Sequence, residues 1–253
     1  MRSAKPSRTP SDGPIPRVTP GVFFGAAVAL PRGPHALPRA DVLAEQRERL
    51  MAAITELIAA HGYVPVTIGA IASRSKVSRT ALYECFPNKD ACAFAAYDRF
   101  IEVLLGALAG RAGEAADMDE AVRVMLDAYF SMLEQDPVVT RAFLVEFDAL
   151  GPSARERRRV ALRSIAGYVQ QIHEQFGASD PTLAPAFPPD VYVGIVHIAR
   201  QLACDALDEQ AEPDLRAIGE LLAPWLMTAF RSGVRDGAAE ASLGAVRAGS
   251  GRH

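Results

Sequence analysis

The sequence predicts an all-α protein: a small N-terminal group of three helices and a larger helical domain behind it. Two observations carry this. From residue 39 onward apolar residues recur at spacings of three and four, and no useful length alternates with period two. Breakers fall between the periodic segments at intervals suited to helices: Gly62, GEAAD at 113–117, Asp136-Pro137, Gly151-Pro152, the Pro-rich GASDPTLAPAFPP at 177–189, and the AEP before Asp214. The first long segment, Asp41 to His61, puts Leu43, Leu50, Ile54, Leu57 and Ile58 on one face, with Arg47, Arg49 and Glu56 around the rest. Two short helices follow between Thr67 and Phe86. Longer ones are predicted from Asn88 to Gly110, Met118 to Gln135, Val138 to Leu150, Ser153 to Phe176, Asp190 to Asp208 and Asp214 to Val234. Residues 237–253 have no apolar period and are expected to be a disordered tail.

Composition narrows the classes. With 253 residues, 49% of them apolar, the chain can fill a core, and a net charge of −3 excludes a polycation that binds nucleic acid by global attraction. Any basic patch must be local. Cys85, Cys92 and Cys204 are odd in number and lack metal-ligand spacing, so they read as small buried apolar residues in a reducing compartment, with no metal site. Residues 1–38 differ from the rest: they hold eight of the 18 prolines, and five cations (Arg2, Lys5, Arg8, Arg17, Arg32) less one acid (Asp12) give +4. They are expected to form a disordered, Pro-rich basic arm. Within them GVFFGAAVAL, 21–30, is too short to span a bilayer, and its Pro-rich lead is unlike that of a signal peptide. A cytoplasmic protein with no membrane partner is expected.

The stretch TIGAIASRSKVSRTALYECFPNKDAC, 67–92, changes character every eight or nine residues. Thr67 is placed to cap a helix of about two turns with Ile68, Ile71 and Ala72 as its apolar stripe. Ser75-Lys76 makes a turn, Val77 points inward at the corner, and Ser78 caps a second short helix with Leu82 and Phe86 on its inner side. Neither helix can stand alone; each is buried only against the other and against 41–61. That is the plan of a helix-turn-helix, in which the first helix braces the second and one face of the second is left for the DNA major groove. The free face carries Thr80, Tyr83 and Glu84, with Arg79 in the first turn. By spacing alone, a corner in an ordinary helical bundle remains the alternative. Residues 61–90 hold four basic residues (Arg74, Lys76, Arg79, Lys89) and two acidic ones, a modest local excess.

The order Thr67, Ile71-Ala72, Val77-Ser78, Leu82-Tyr83, Phe86, Pro87-Asn88-Lys89 resembles the N-terminal DNA-binding domain of the TetR family of transcriptional regulators. The segment LPRGPHALPRADVLAEQRERL before it resembles the entry to the first helix in actinobacterial members. Residues 100–235 resemble the family only in length and helicity. The resemblance implies a helix-turn-helix domain at 39–98 and an effector-binding and dimerisation domain at 99–236. It implies phosphate contacts from Thr67, Tyr83 and Lys89, and base or groove contacts from Ser78, Arg79 and Thr80. Two departures stand out: Lys76 occupies a turn position usually held by Gly, where positive φ can be required, and Glu84 puts an acid on the presented helix. Arg32 and Arg39, in the extended segment before the first helix, are placed to enter an adjacent minor groove.

The last two helices are apolar on more than one face, with Val193, Ile195, Val196, Ile198 and Leu202 in one and Leu215, Ile218, Leu221, Leu222, Trp225 and Leu226 in the other. Such helices must be buried on two sides, and a homodimer interface is the expected second side, as the resemblance also implies. Met125, Tyr129, Met132, Phe143, Phe147 and Tyr168, with Glu146, His173, His197 or Arg200 as polar anchors, are the candidate lining of a small-molecule pocket. The Arg155, Arg157, Arg158, Arg159 run reads as a solvated face. No nucleophile elbow, glycine-rich phosphate loop or paired metal motif is present, which argues against an enzyme and against a cofactor. The expectation is a repressor released from a palindromic operator by a small molecule; the alternative is a helical interaction or ligand-sequestering protein of the same fold with weak or lost DNA binding.

Overall fold

The computed structural model describes residues 14–25, 38–210 and 212–232. Among these the chain forms nine α-helices: α1 Arg39–His61, α2 Ile68–Ser75, α3 Arg79–Cys85, α4 Lys89–Ala112, α5 Met118–Gln135, α6 Pro137–Thr140, α7 Pro152–Gly177, α8 Pro189–Glu209 and α9 Leu215–Ser232. Most begin where a short polar side chain can satisfy a free N–H. Thr67 accepts from Ala70, Ser78 from Ala81, Asn88 from Ala91 and Asp117 from Glu120, each at 2.8–3.1 Å. α1 ends at Gly62, whose φ of 73° a side chain would resist.

The N-terminal unit packs α2 and α3 on α1, and α4 runs on from it into the second unit, where α5 lies between α4 and α9 and α7 lies along α8. The expected boundary at 98–99 therefore falls inside one continuous helix. α9 approaches α5 closely at Gly219, where a Cβ would sit 3.0 Å from the Phe130 ring. Tyr97 stacks on Phe147 at 3.9 Å between centroids, and both meet Phe143 edge-on, forming an aromatic cluster behind α1. All three cysteines are free and buried; burial pushes the Cys92 thiol up to about 12, an inert group. No described helix is long and apolar enough to cross a membrane.

Three expectations need correction. Residues 14–25, assigned to a disordered arm, are placed, with Phe23 and Phe24 buried. The helix expected from Val138 to Leu150 is instead the short α6, a π-helical turn at Arg141–Glu146 and a 3-10 turn at Phe147–Leu150. Its apolar spacing fits a helix, but spacing carries no information on whether a hydrogen bond closes at three, four or five residues. Glu56, expected on the solvated side of α1, is buried. Of the arm cations, Arg2, Lys5, Arg8 and Arg32 lie outside the described residues, as does the tail 237–253.

Between α7 and α8, His173 is buried with its Nδ1 2.8 Å from the Tyr192 hydroxyl, which accepts the Phe187 N–H at 3.0 Å. A neutral imidazole protonated at Nε2 accepts the Tyr192 hydroxyl proton at Nδ1. Burial lowers its pKa, opposed by the Ala184 backbone and by nearby Glu174. A histidine depressed in the folded state is protonated more readily once unfolded, so its contribution is present above about pH 6.5 and is lost as pH falls below it. The thermal midpoint should drop between pH 7.5 and 5.5, and drop less in His173→Gln. Equal drops in the two proteins would remove His173 from the account.

Candidate nucleic-acid interface and ligand cleft

The turn between α2 and α3 is built by Ser75, whose hydroxyl donates to the Ala72 carbonyl and accepts the Val77 N–H. Lys76 takes the left-handed conformation, φ 56° and ψ 35°, the positive φ that Gly would adopt without strain. Val77, Leu82 and Phe86 are buried, which fixes α3 against α1; the Arg47 guanidinium covers the Phe86 ring at 4.2 Å. The opposite side of α3 is exposed at Ser78, Arg79, Thr80, Tyr83 and Glu84, and Tyr83 is 57% exposed.

Each expected DNA-contact residue can now be placed. Thr67, Ser78, Arg79, Thr80 and Tyr83 lie on the exposed side, with the Thr67 and Ser78 hydroxyls also capping their helices. Arg79 folds back over the first turn of α2: a Cβ on Gly69 would lie 2.8 Å from its Nη2. Gly69 was not singled out in the sequence, although a glycine inside an eight-residue helix was the available signal. Lys89 differs from expectation. Its ammonium is half-buried, donating to the Val66 carbonyl at 3.0 Å and lying 4.2 Å from the Tyr63 ring, so it braces the loop that leads into α2. Arg39 opens α1, 3.4 Å from Glu84 on α3, with both side chains well exposed; this pair accounts for the acid on the presented helix. Arg157, Arg158 and Arg159 pair with Asp98, Asp148 and Glu156.

In the second unit a narrow cleft of about 60 Å³ lies between α4, α5, α7, α8 and α9. Its walls include Leu108, Val122, Ile165, Val196, Leu222 and Phe230, and no charged side chain lines it. Of the expected pocket residues, Met125 and Tyr129 line it. Phe143 and Phe147 do not, because they are consumed by the aromatic cluster. Glu146 sits against Gly62, Tyr168 donates to the Ala109 carbonyl, and His197 is exposed on α8. The rim includes Ile198 and Trp225, which with Leu221 are large apolar side chains left exposed on α8 and α9. Leu222 and Leu226 face inward.

A bundle whose N-terminal helix pair buries one side and presents a polar other side is a helix-turn-helix protein of the all-α class. Residues 50–96, from the end of α1 through α2 and α3 to the start of α4, match the family of bacterial regulatory proteins, tetR family. No curated protein sequence matches the chain. Among solved structures it is similar to the fatty acid degradation regulator FadR from Bacillus halodurans, with 16% identity over 75% of this chain and 96% of that one at a TM-score of 0.64. FadR from Bacillus subtilis in complex with stearoyl-CoA gives 16%, 74%, 98% and 0.64 for the same quantities. A TetR transcription regulator from Haloarcula marismortui gives 19%, 74%, 98% and 0.59. At these identities the likeness is one of fold.

Proposed function

We propose that the protein is a ligand-responsive, sequence-specific DNA-binding regulator, a homodimer released from a palindromic operator by a small molecule. The observation that carries this reading is α3, buried on one side by Leu82 and Phe86 and offering Arg79, Thr80 and Tyr83 on the other. One such helix reads only a few base pairs, and two held a helical turn of DNA apart read a palindrome. The exposed Ile198, Leu221 and Trp225 on α8 and α9 supply the apolar surface for pairing with a second copy.

The effector reading rests on the cleft. Burying an unpaired charge costs several kcal/mol, so the part of an effector held by walls without charge is hydrocarbon. The Bacillus subtilis FadR was solved with stearoyl-CoA, and a long acyl chain is the corresponding candidate here. Trp225 is the chain's only tryptophan and lies on the rim, so its emission reports occupancy.

Two measurements test the reading. DNA from upstream of the protein's own gene should be retarded in a gel at low salt, with binding that falls as salt rises. Arg79→Ala should cost about 1–3 kcal/mol on that DNA and relax preference at one base pair. Titration with stearoyl-CoA should shift Trp225 emission and release the DNA. Absence of DNA binding would favour the ligand-sequestering reading, which the Arg39–Glu84 pair across the presented face motivates. Unchanged emission and unchanged retardation would reject the acyl effector.

A further inference from the structure

Residues 14–25 cross the seam between the helix-turn-helix and the effector domain. Thr19-Pro20-Gly21-Val22 forms a tight turn: Pro sets its first corner, Gly21 takes φ 83°, and the Val22 N–H reaches the Thr19 carbonyl at 3.4 Å. The Gly21 N–H donates to the Phe24 carbonyl at 2.8 Å, closing the loop so that Phe23 and Phe24 turn inward. The Phe23 ring lies 5.2 Å from Phe100 of α4, and the Gly25 N–H reaches Glu48 of α1 at 3.0 Å.

Two neighbouring amides of this segment go to two different units. The Val18 N–H donates at 3.1 Å to Glu56 of α1, in the DNA-binding domain. The next N–H, of Thr19, donates at 2.7 Å to Asp136, the N-cap of α6 in the effector domain. Asp136 is 0% exposed and its other oxygen accepts the Val138 and Val139 N–H groups, both at 3.1 Å. A buried carboxylate that loses a donor is strongly penalised, so each acid holds its amide. The far end is held from α2, the brace of the recognition helix: Arg74 pairs with Glu56 and donates to the Ile15 and Pro16 carbonyls at 3.2 and 3.0 Å.

From this arrangement we infer that residues 14–25 are a clasp that fixes the helix-turn-helix at one orientation to the effector domain and so sets operator affinity. A displacement of α6 pulls on Thr19; because Val18 and residues 15–16 are tied to Glu56 and Arg74, the pull reaches α2. The operator arm of the claim rests on the DNA-binding reading above, whereas the clasp itself does not.

Two conservative variants of the full chain open it from opposite sides. Asp136→Asn keeps an oxygen for the α6 cap but turns an NH2 toward the Thr19 N–H. Arg74→Lys keeps a charge for Glu56 but cannot also fork onto the Ile15 and Pro16 carbonyls. Trypsin reads opening at the Arg17–Val18 bond, hydrogen exchange reads α2 and α3, and gel retardation reads operator affinity. Both variants should be cut at Arg17 about tenfold faster than the parent, as loss of one charge-assisted bond implies. Asp136→Asn should raise exchange in α2, and each variant should weaken operator binding several-fold. Unchanged cleavage in both overturns the clasp. Faster cleavage with unchanged α2 exchange overturns the coupling and leaves a peripheral staple. If the parent binds no operator, the regulator reading fails and the exchange comparison still decides the clasp.

Discussion

The double variant Ile198→Glu, Leu221→Glu should be monomeric by analytical ultracentrifugation and should lose at least about a hundredfold in operator affinity. Leu221 is 70% exposed and Ile198 41% exposed in the single chain, on adjacent helices that are otherwise packed inward. In a two-fold interface each carboxylate occurs twice, so four charges would have to be buried without partners, at several kcal/mol each before relaxation. A single recognition helix then binds with only its own few base contacts, and the gain from tethering the second half-site is lost. Leu222 and Leu226 are unsuitable for this test, because both face the interior and their replacement would damage the fold itself. A double variant that remains dimeric places the interface elsewhere.

Phe147→Ala should destabilise the protein by about 3–5 kcal/mol, the range for removing a buried aromatic ring. The ring is 1% exposed, stacks on Tyr97 and meets Phe94 and Phe143 edge-on, so its removal leaves a cavity that three other rings cannot collapse into without losing their own contacts. Chemical denaturation measures the loss. The milder Phe147→Leu separates packing from ligand contact: it should lower stability while leaving the Trp225 response to stearoyl-CoA unchanged. A weakened response at unchanged stability would return Phe147 to the ligand site.

The helix-turn-helix was legible because its signals are local. Caps at Thr67 and Ser78, a corner Val77 and an inner Leu82-Phe86 pair lie within about twenty residues, and each acts on its immediate neighbours. The left-handed backbone of Lys76 is anticipated from the resemblance, since Gly usually stands at that turn position. The ligand cleft was only partly legible. An aromatic at helical spacing satisfies a core and a cavity equally well, and nothing local separates Tyr129, which lines the cleft, from Phe143, which fills the cluster beside it. Lys89 was misread for a related reason. Its cationic head was visible in the sequence, but the Val66 carbonyl and Tyr63 ring that take it up belong to a loop some twenty residues earlier.

Residues 14–25 mark the limit most sharply. Proline content, a net positive charge and the absence of any period describe a chain with too little local structure to hold itself, yet residues 14–25 are placed with Phe23 and Phe24 buried. By itself the sequence determined the helices outside Arg141–Leu150, the caps at Thr67 and Ser78, the corner between α2 and α3 and the apolar excess on α8 and α9, since each follows from side chains three or four residues apart. Only the tertiary structure decided that Glu56 and Asp136, eighty residues apart in sequence, would both be buried within reach of one short segment, each with acceptor capacity left beyond Arg74 and the Val138 and Val139 N–H groups. Two adjacent amides at Val18 and Thr19 fill that remaining capacity, and a segment with little local structure is held in place because a buried carboxylate is penalised when one of its donors is removed.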